Sequence, residues 1–332
     1  MKAIIPVAGA GTKLRPHTYT QPKALIPLAG KTVLSFIMDQ LQEAGIQEYI
    51  FIVGYLGDKI QDYVKEKYPS LVTSFIHQSE RQGIGHAIQL TREIVQGDEV
   101  FIVLGDTICE YDVEEVLNSP YSVLGVKKVD DPRNFGVAEI AEDGFISRVV
   151  EKPQIPKSNM ALVGVYKIKE SEMLFQCLES NIENQVLTYG EFSITDALEC
   201  MIGKQVKFMP VKVQNWFDCG RKETLLESNA TLLKKYGGVI DQDHHFENTI
   251  IVPPVSLAPG CEIKNSIIGP NVTIGEKTNI NYSIIKDSII GSFAHLKDIV
   301  LTHSLIGGDT EVKGESRSLN IGDNTEIDLG DA

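Results

Sequence analysis

The chain has 332 residues, 42% hydrophobic and 23% charged, with a formal net charge of −14. That is a globular profile long enough for two domains, and its negative balance argues against nucleic acid or an anionic membrane as partner. No apolar run approaches the ~20 residues that span a bilayer, no secretory h-region opens the chain, and five scattered cysteines lack a Cys-x-x-Cys pair, so a reduced, cytoplasmic protein is expected.

The first element is an apolar run, Ala3 to Val7, that empties into a loop holding Gly9 and Gly11. A buried strand ending in such a loop can turn several backbone N–H groups toward one phosphate chain, and glycine permits the close approach. Ala8, Gly9, Gly11 and Thr12 are therefore expected at a nucleoside triphosphate. Gly-x-Gly after a strand is common, and this one is neither the dinucleotide fingerprint nor the P-loop. Next, Val33, Ile37 and Leu41 recur at helical spacing, with Thr32 as N-cap and Gly45 as stop. Tyr49–Val53, Val100–Leu104 and Tyr121–Val126 read as strands. Alternating strands and helices predict an α/β domain with a Rossmann-like, mostly parallel sheet. Ligands on such sheets bind beyond the carboxyl ends of the strands, where Gly9–Gly11 and Gly105-Asp106 fall. Leu225 to Tyr236 reads as a helix, and Gly237-Gly238 begins a linker.

After about residue 248 the helical period stops. Apolar residues recur roughly every six, and the phrase Ser-Ile-Ile returns at Ser266, Ser283 and Ser288, with Ser-Leu-Ile at Ser304. Ser266 to Ser283 is 17 residues and Ser288 to Ser304 is 16. Three six-residue faces per coil predict a hexapeptide-repeat, left-handed parallel β-helix. The expected domains are residues 1–237 and 248–332.

Several residues carry chemistry. Asp106 ends an apolar strand beside Gly105, where a carboxylate can hold Mg²⁺ while a phosphate completes the shell; alone, it is equally a helix cap or turn former. Asp218, in Trp216-Phe-Asp-Cys-Gly220, ends another apolar segment and on its own is a loop residue. Gln78 presents a donor and an acceptor that match the N3–H and O4 edge of uracil or thymine, and Gly83 and Gly85 would let a base approach the backbone. Lys152, in Glu151-Lys-Pro, suits a phosphate as a point charge on a flexible stem, though most Glu-Lys pairs are surface ion pairs. His244, His245, His295 and His303 support no strong reading.

Pro6-Val-Ala-Gly-Ala-Gly-Thr-Lys-Leu-Arg-Pro16, together with Pro22-Lys-Ala-Leu-Ile-Pro27, resembles the signature of the sugar-1-phosphate nucleotidyltransferases. The resemblance implies transfer from UTP or dTTP to a hexose 1-phosphate with Mg²⁺. It places Lys13 and Lys23 at the triphosphate, Asp106 and Asp218 on the metal, Lys152 on the sugar phosphate and Glu151 on sugar hydroxyls. Gly136 and Leu162 would lie beside the sugar. The family's loop usually reads Gly-Thr-Arg; here Lys13 keeps the charge without the bidentate fork, and Arg15 is the nearest substitute. The β-helix implies a homo-oligomer. Two other readings stay open: a non-catalytic regulatory or scaffold subunit, and a bifunctional enzyme with an acetyltransferase on the β-helix.

Overall fold

In a computed structural model of the chain, residues 1–238, 240 and 246–314 are described; His244 and His245 lie outside them. Strands and helices alternate as β1 (Lys2–Pro6), the hairpin β2 (Pro27–Leu28) and β3 (Lys31–Thr32), α1 (Val33–Glu43), β4 (Glu48–Val53), α2 (Gly57–Lys67), β5 (Val72–His77), α3 (Ile84–Gln89), α4 (Arg92–Val95) and β6 (Val100–Val103). There follow β7 (Thr107–Glu110), α5 (Val113–Asn118), β8 (Ser122–Lys128), β9 (Gly136–Ile140), β10 (Ile146–Glu151), β11 (Met160–Ile168), α6 (Ser171–Glu183), α7 (Ile194–Gly203), β12 (Phe208–Lys212), β13 (Asn215–Asp218) and α8 (Lys222–Tyr236). The chain forms two compact units, Met1–Thr231 and Leu232–Ala332.

The main sheet of the first unit runs β10-β9-β11-β6-β1-β4-β5, with β8 beside β11 and β12 beside β8. β1 is parallel to β4 and β6, and β4 to β5. β11 then reverses direction against β6, β8 and β9, so the sheet is mixed. β1, β4 and β6 are apolar on both faces because helices cover both, whereas β5 (Val-Thr-Ser-Phe-Ile-His) at the sheet edge is only partly buried. Ile5, Phe51 and Phe101 pack with Leu34 and Leu41 of α1 and Ile60 of α2. Ile4, Ile50 and Ile102 pack on the other face with Leu174 and Phe175 of α6 and Leu198 of α7. At the start of α1 the Thr32 hydroxyl accepts from Ser35 N at 3.1 Å, the expected cap.

The expectation of reduced cysteines fails at one pair. Packing of α6 against α7 sets Cys177 and Cys200 5.9 Å apart at Cα, and they form a disulfide, while Cys109, Cys219 and Cys261 are free and buried. The 23-residue spacing hides the pair because it depends on how two helices meet.

In the second unit the described strands stack in three parallel four-stranded sheets, one for each face of a left-handed β-helix. Ile251, Ile268, Ile285 and Leu301 form one inward column, Leu257, Ile274, Ile290 and Ile306 a second, and Ile263, Ile280, Leu296 and Val312 a third. Residues at the corners take positive φ, among them Asn265, Tyr282 and Asp298. The repeated serine has a reason too. Ser266 Oγ accepts from Ser283 N at 3.1 Å, and Ser288 Oγ from Ser304 N at 3.0 Å, so each hydroxyl ties one coil to the next.

Candidate active site

A cleft of about 440 Å³ opens beyond the carboxyl ends of β1 and β6. It gathers Ala8, Gly9, Gly11, Thr12, Lys13, Lys23, Gln78, Gly83, Asp106 and Asp218 on one lining. Arg81, Glu191 and Arg221 line it as well.

The loop after β1 forms one wall. Val7 N still bonds across the sheet to Ile52 O at 2.8 Å, and pairing then stops. Among the described residues, the successive backbone N–H groups of Ala8 through Lys13 donate to no protein acceptor. Such a run of free amides is an anion cradle. Gly11 must be glycine for internal reasons: its φ is +60°, and a Cβ would lie 2.8 Å from Thr18 Cγ2. Gly9 differs, since a Cβ there would touch nothing.

The floor carries the acids. β7 and β13 pair antiparallel with Asp218 opposite Thr107, which sets Asp218 beside Asp106 although 112 positions separate them in sequence. Lys23 Nζ bonds to Asp106 Oδ2 at 2.8 Å, and the Thr107 hydroxyl donates to Oδ1 at 3.1 Å. Burial pushes the Asp106 carboxyl up, but the Lys23 ammonium and these hydrogen bonds outweigh it and hold the group below its ordinary value. Asp218 Oδ1 accepts from Gly220 N at 2.8 Å. Between them, Cys219 is fully buried and its thiol is pushed up to about 12, chiefly by burial, so it stays a protonated packing residue.

Two adjacent carboxylates are hard oxygen donors. No cluster of three or more acids, histidines or cysteines that could cage a metal occurs among the described residues. The donor set therefore fits a divalent cation of the Mg²⁺ type, which keeps waters and takes phosphate oxygens for its other positions.

At the other end of the cleft, Gln78 is 7% exposed. Its Nε2 donates to Gly83 O at 3.1 Å and lies 3.3 Å from His86 Nδ1. The carbonyl partner fixes the amide's orientation. The expected donor is thus spent inside the protein, and Oε1 is what remains. Gly83 and Gly85 also serve packing more than ligand access: a Cβ on Gly83 would lie 2.5 Å from Phe192 O, and Gly85 N donates to that oxygen at 2.8 Å. The backbone N–H of Gly83 itself makes no hydrogen bond with the described residues.

Gly136, Glu151, Lys152 and Leu162 meet elsewhere. Gly136 and Glu151 are partners across β9 and β10. A Cβ on Gly136 would lie 3.0 Å from Leu162 Cδ1 and 3.1 Å from both Glu151 Oε2 and Thr195 Oγ1. Leu162 is 5% exposed and packs in the core with its Cδ1 toward Gly136, on a strand buried from Ala161 to Ile168. The Thr195 hydroxyl donates to Glu151 Oε2 at 2.6 Å. Lys152 is paired with Glu151 at 3.4 Å and its ammonium lies 5.7 Å from the Tyr189 ring centroid. Its φ is +43°, unusual for a side-chain-bearing residue. Tyr189 Oη holds the Lys152 carbonyl at 2.8 Å, and Phe135 O accepts from Lys152 N at 3.0 Å. Lys152 and Tyr189 border a separate hollow with Arg133 and Asn134 rather than the nucleotide cleft.

Sequence reasoning missed Arg81, Glu191, Arg221, Tyr189 and Thr195. A signal for the last two existed. Ser193 caps α7, accepting from Thr195 N at 3.0 Å, and Ser193-Ile-Thr-Asp196 has the spacing of a capping box. It marks a loop-to-helix turn beside Tyr189. Arg15, the expected substitute for a loop arginine, lies over the Tyr19 ring at 4.9 Å and is not among the cleft lining.

A family model described as nucleotidyl transferase matches residues 2–235. The bifunctional protein GlmU of Methanocaldococcus jannaschii is 35% identical over 76% of this chain, which spans 60% of that protein's length. The glucose-1-phosphate thymidylyltransferase of Streptomyces griseus is 31% identical over 96% of this chain and 89% of its own. A crystal structure of UDP-glucose pyrophosphorylase complexed with UDP-glucose matches with a TM-score of 0.62 over 70% of this chain and 98% of that one. At 24% identity the likeness is one of fold. No helix among the described residues is long and apolar enough to cross a membrane.

Proposed function

This chain belongs to the nucleotidyl transferase family, and we propose that it transfers the nucleotidyl group of UTP or dTTP to a hexose 1-phosphate, glucose 1-phosphate foremost, releasing pyrophosphate. The observation that carries this reading is the unpaired amide run of Ala8–Lys13 in one cleft with Asp106 and Asp218. A triphosphate is the ligand that uses both, with its oxygens on the amides and its metal on the acids. The base end supports a pyrimidine with an imino proton: Gln78 Oε1 would accept N3–H, and Gly83 N–H would donate to a neighbouring carbonyl. Uracil and thymine share that edge. Adenine and cytosine present a bare ring nitrogen there and would leave the buried Oε1 unpaired, at about 1–3 kcal/mol. The name of the Streptomyces relative supports glucose 1-phosphate as acceptor.

The chemistry asks little of the protein beyond placement and charge. An oxygen of the sugar phosphate attacks the α-phosphorus in line. The bond from that phosphorus to the α,β-bridging oxygen breaks, and pyrophosphate leaves with the electron pair. The nucleophile is already anionic, so no general base and no covalent enzyme intermediate are needed. Lys13 and the amides hold the triphosphate, Lys23 keeps Asp106 ionised and Lys152 steers the sugar phosphate. Mg²⁺ held by Asp106 and Asp218 would supply positive charge to the phosphates as charge builds on the leaving group.

Pyrophosphate release with Mg²⁺ tests this, scanning UTP, dTTP, GTP, ATP and CTP against glucose, galactose, mannose and N-acetylglucosamine 1-phosphates. Turnover with UTP or dTTP, and not with ATP or CTP, is expected. Turnover with ATP or CTP as good substrates would defeat the base-end argument. Nucleotide binding without turnover across the panel would move the chain to a regulatory role.

A further inference from the structure

Six arginines lie among the described residues, and five have occupations. Arg92, Arg133 and Arg148 are paired with acids, and Arg15 and Arg81 lie over Tyr19 and Tyr55. Arg221 alone makes no side-chain hydrogen bond, ion pair or ring contact with the described residues. It lines the nucleotide cleft. A guanidinium without an acid is unexpected in a protein with 45 acidic residues against 31 lysines and arginines, and Asp218 stands three positions before it.

The backbone beneath Arg221 is fixed on both sides. Before it, Cys219 is buried, Cys219 N approaches Asp106 O at 3.4 Å and Gly220 N donates to Asp218 Oδ1. A side chain at 220 would collide with that carboxylate, with Cβ 2.7 Å from Oδ1, so glycine brings the chain close over the acids just before Arg221. After it, the Arg221 carbonyl accepts from Leu225 N at 2.9 Å as α8 begins. The stem is anchored and the fork is free.

Of the other cleft cations, Arg81 lies over the Tyr55 ring at 5.9 Å. Lys23 is committed to Asp106. Lys13 makes no side-chain hydrogen bond or ion pair with the described residues but offers a point charge. A planar guanidinium can grip two oxygens at once, across one phosphate or bridging two.

We propose that Arg221 grips the β- and γ-phosphates of the bound nucleoside triphosphate, opposite Lys13 and the amide run, and stays on pyrophosphate as it leaves. The assignment deepens the nucleotidyl-transfer reading and rests on it. Assignment to the triphosphate end follows from the backbone just before Arg221: a Cβ at Gly220 would lie 2.7 Å from Asp218 Oδ1 and 3.4 Å from Lys23 Nζ, which sets Arg221 beside the acids, while Gln78 and Gly83 mark the base end of the same lining. Charge accumulates on pyrophosphate during bond cleavage, so the contact strengthens where it aids the reaction.

The test is calorimetric titration of wild type, Arg221→Gln, Arg221→Lys and the double variant Arg221→Gln with Lys13→Arg, using UTP, UMP and inorganic pyrophosphate. Melting curves check folding, which an exposed side chain should leave intact. Arg221→Gln is expected to weaken UTP and pyrophosphate by about 10–100-fold and UMP by less than about twofold. Arg221→Lys should fall between, and Lys13→Arg should recover much of the loss by offering a fork from the facing wall. Equal losses for UTP and UMP, or no loss for UTP, would overturn the assignment, as would a wild type that binds neither UTP nor pyrophosphate. Pyrophosphate release by the wild type reads the parent function separately. A silent wild type with the Arg221-dependent pattern would leave the contact standing and remove catalysis.

Discussion

The nucleotide end and the sugar end of the proposed site differ in how much of their polar capacity the protein has already used. At the nucleotide end the amides of Ala8–Lys13, the Gln78 Oε1 and the Arg221 guanidinium bond to nothing among the described residues. At the sugar end Glu151 is bonded to Thr195, Lys152 to Glu151, and Tyr189 to the Lys152 backbone. The first end offers unsatisfied groups to a ligand, and binding there mainly replaces water. At the second, a ligand must exchange protein contacts for its own. Pre-formed order favours the nucleotide, and selectivity for the sugar is set by which contacts are worth giving up.

The largest effect expected from breaking this contrast is at the acids. Asp106→Asn or Asp218→Asn removes half the anionic charge of the metal pair, and kcat should fall on the order of 10³-fold, a loss of about 4 kcal/mol in transition-state stabilisation. Steady-state pyrophosphate release reads it, and a change under about tenfold would place the chemistry elsewhere. Next comes Lys152→Ala, which removes one charge-assisted contact. KM for the sugar 1-phosphate should rise about 10–100-fold. Nucleotide affinity should hold, since Lys152 does not line that cleft. Equal losses in both titrations would mean the two ends are one.

The nucleotide end was the more legible of the two in sequence for the same physical reason. Its amide cradle is made by contiguous residues, so strand, glycines and lysine appear in one stretch. Asp106 follows its own strand in the same way. Asp218 needed the pairing of Asn215–Asp218 with Thr107–Glu110, a contact between distant segments, and alone it read as a loop acid. Arg221 was hidden behind it. Leu162 carries no such signal, because β11 is apolar on both faces and alternation gives no clue to which side chains face a ligand. The β-helix stood out because its period of 16 to 17 residues is written locally, once per coil, in the serine that ties coils together. Gln78 stands out in the sequence, but no local pattern shows that its donor goes to Gly83 O, which the packing of Phe192 brings round.

A smaller effect sharpens the picture at the acids. Asp106 is held low by Lys23 against burial. Lys23→Met removes the strongest opposition to burial and leaves only hydrogen bonds such as that from Thr107, so the carboxyl should titrate higher. The acid limb of kcat/KM should then move to higher pH, with a modest loss at neutral pH that deepens as pH falls. The stability sign agrees. A carboxyl depressed in the folded state stabilises above its unfolded pKa and loses that contribution as pH falls through its folded value. The variant should therefore be less stable than wild type at neutral pH, and the gap should close under strongly acidic conditions. An unmoved acid limb would show that Asp106 does not limit the rate.

The smallest effect tests whether the sugar end is held in place by its internal bonds. Lys152 sits at φ +43°, a region that disfavours side-chain-bearing residues by roughly 1–2 kcal/mol. Its backbone stays there with Phe135 O on its N–H and Tyr189 Oη on its carbonyl. Tyr189→Phe keeps the ring beneath the ammonium and removes only the hydroxyl, worth about 1 kcal/mol. With one tether gone the backbone can relax toward ordinary φ, and the ammonium then leaves the position from which it meets the sugar phosphate. KM for the sugar 1-phosphate should rise about fivefold, with nucleotide affinity and melting temperature nearly unchanged. A fall in that KM would mean the tether holds Lys152 away from substrate, and the sugar end would then be one that opens by releasing Tyr189.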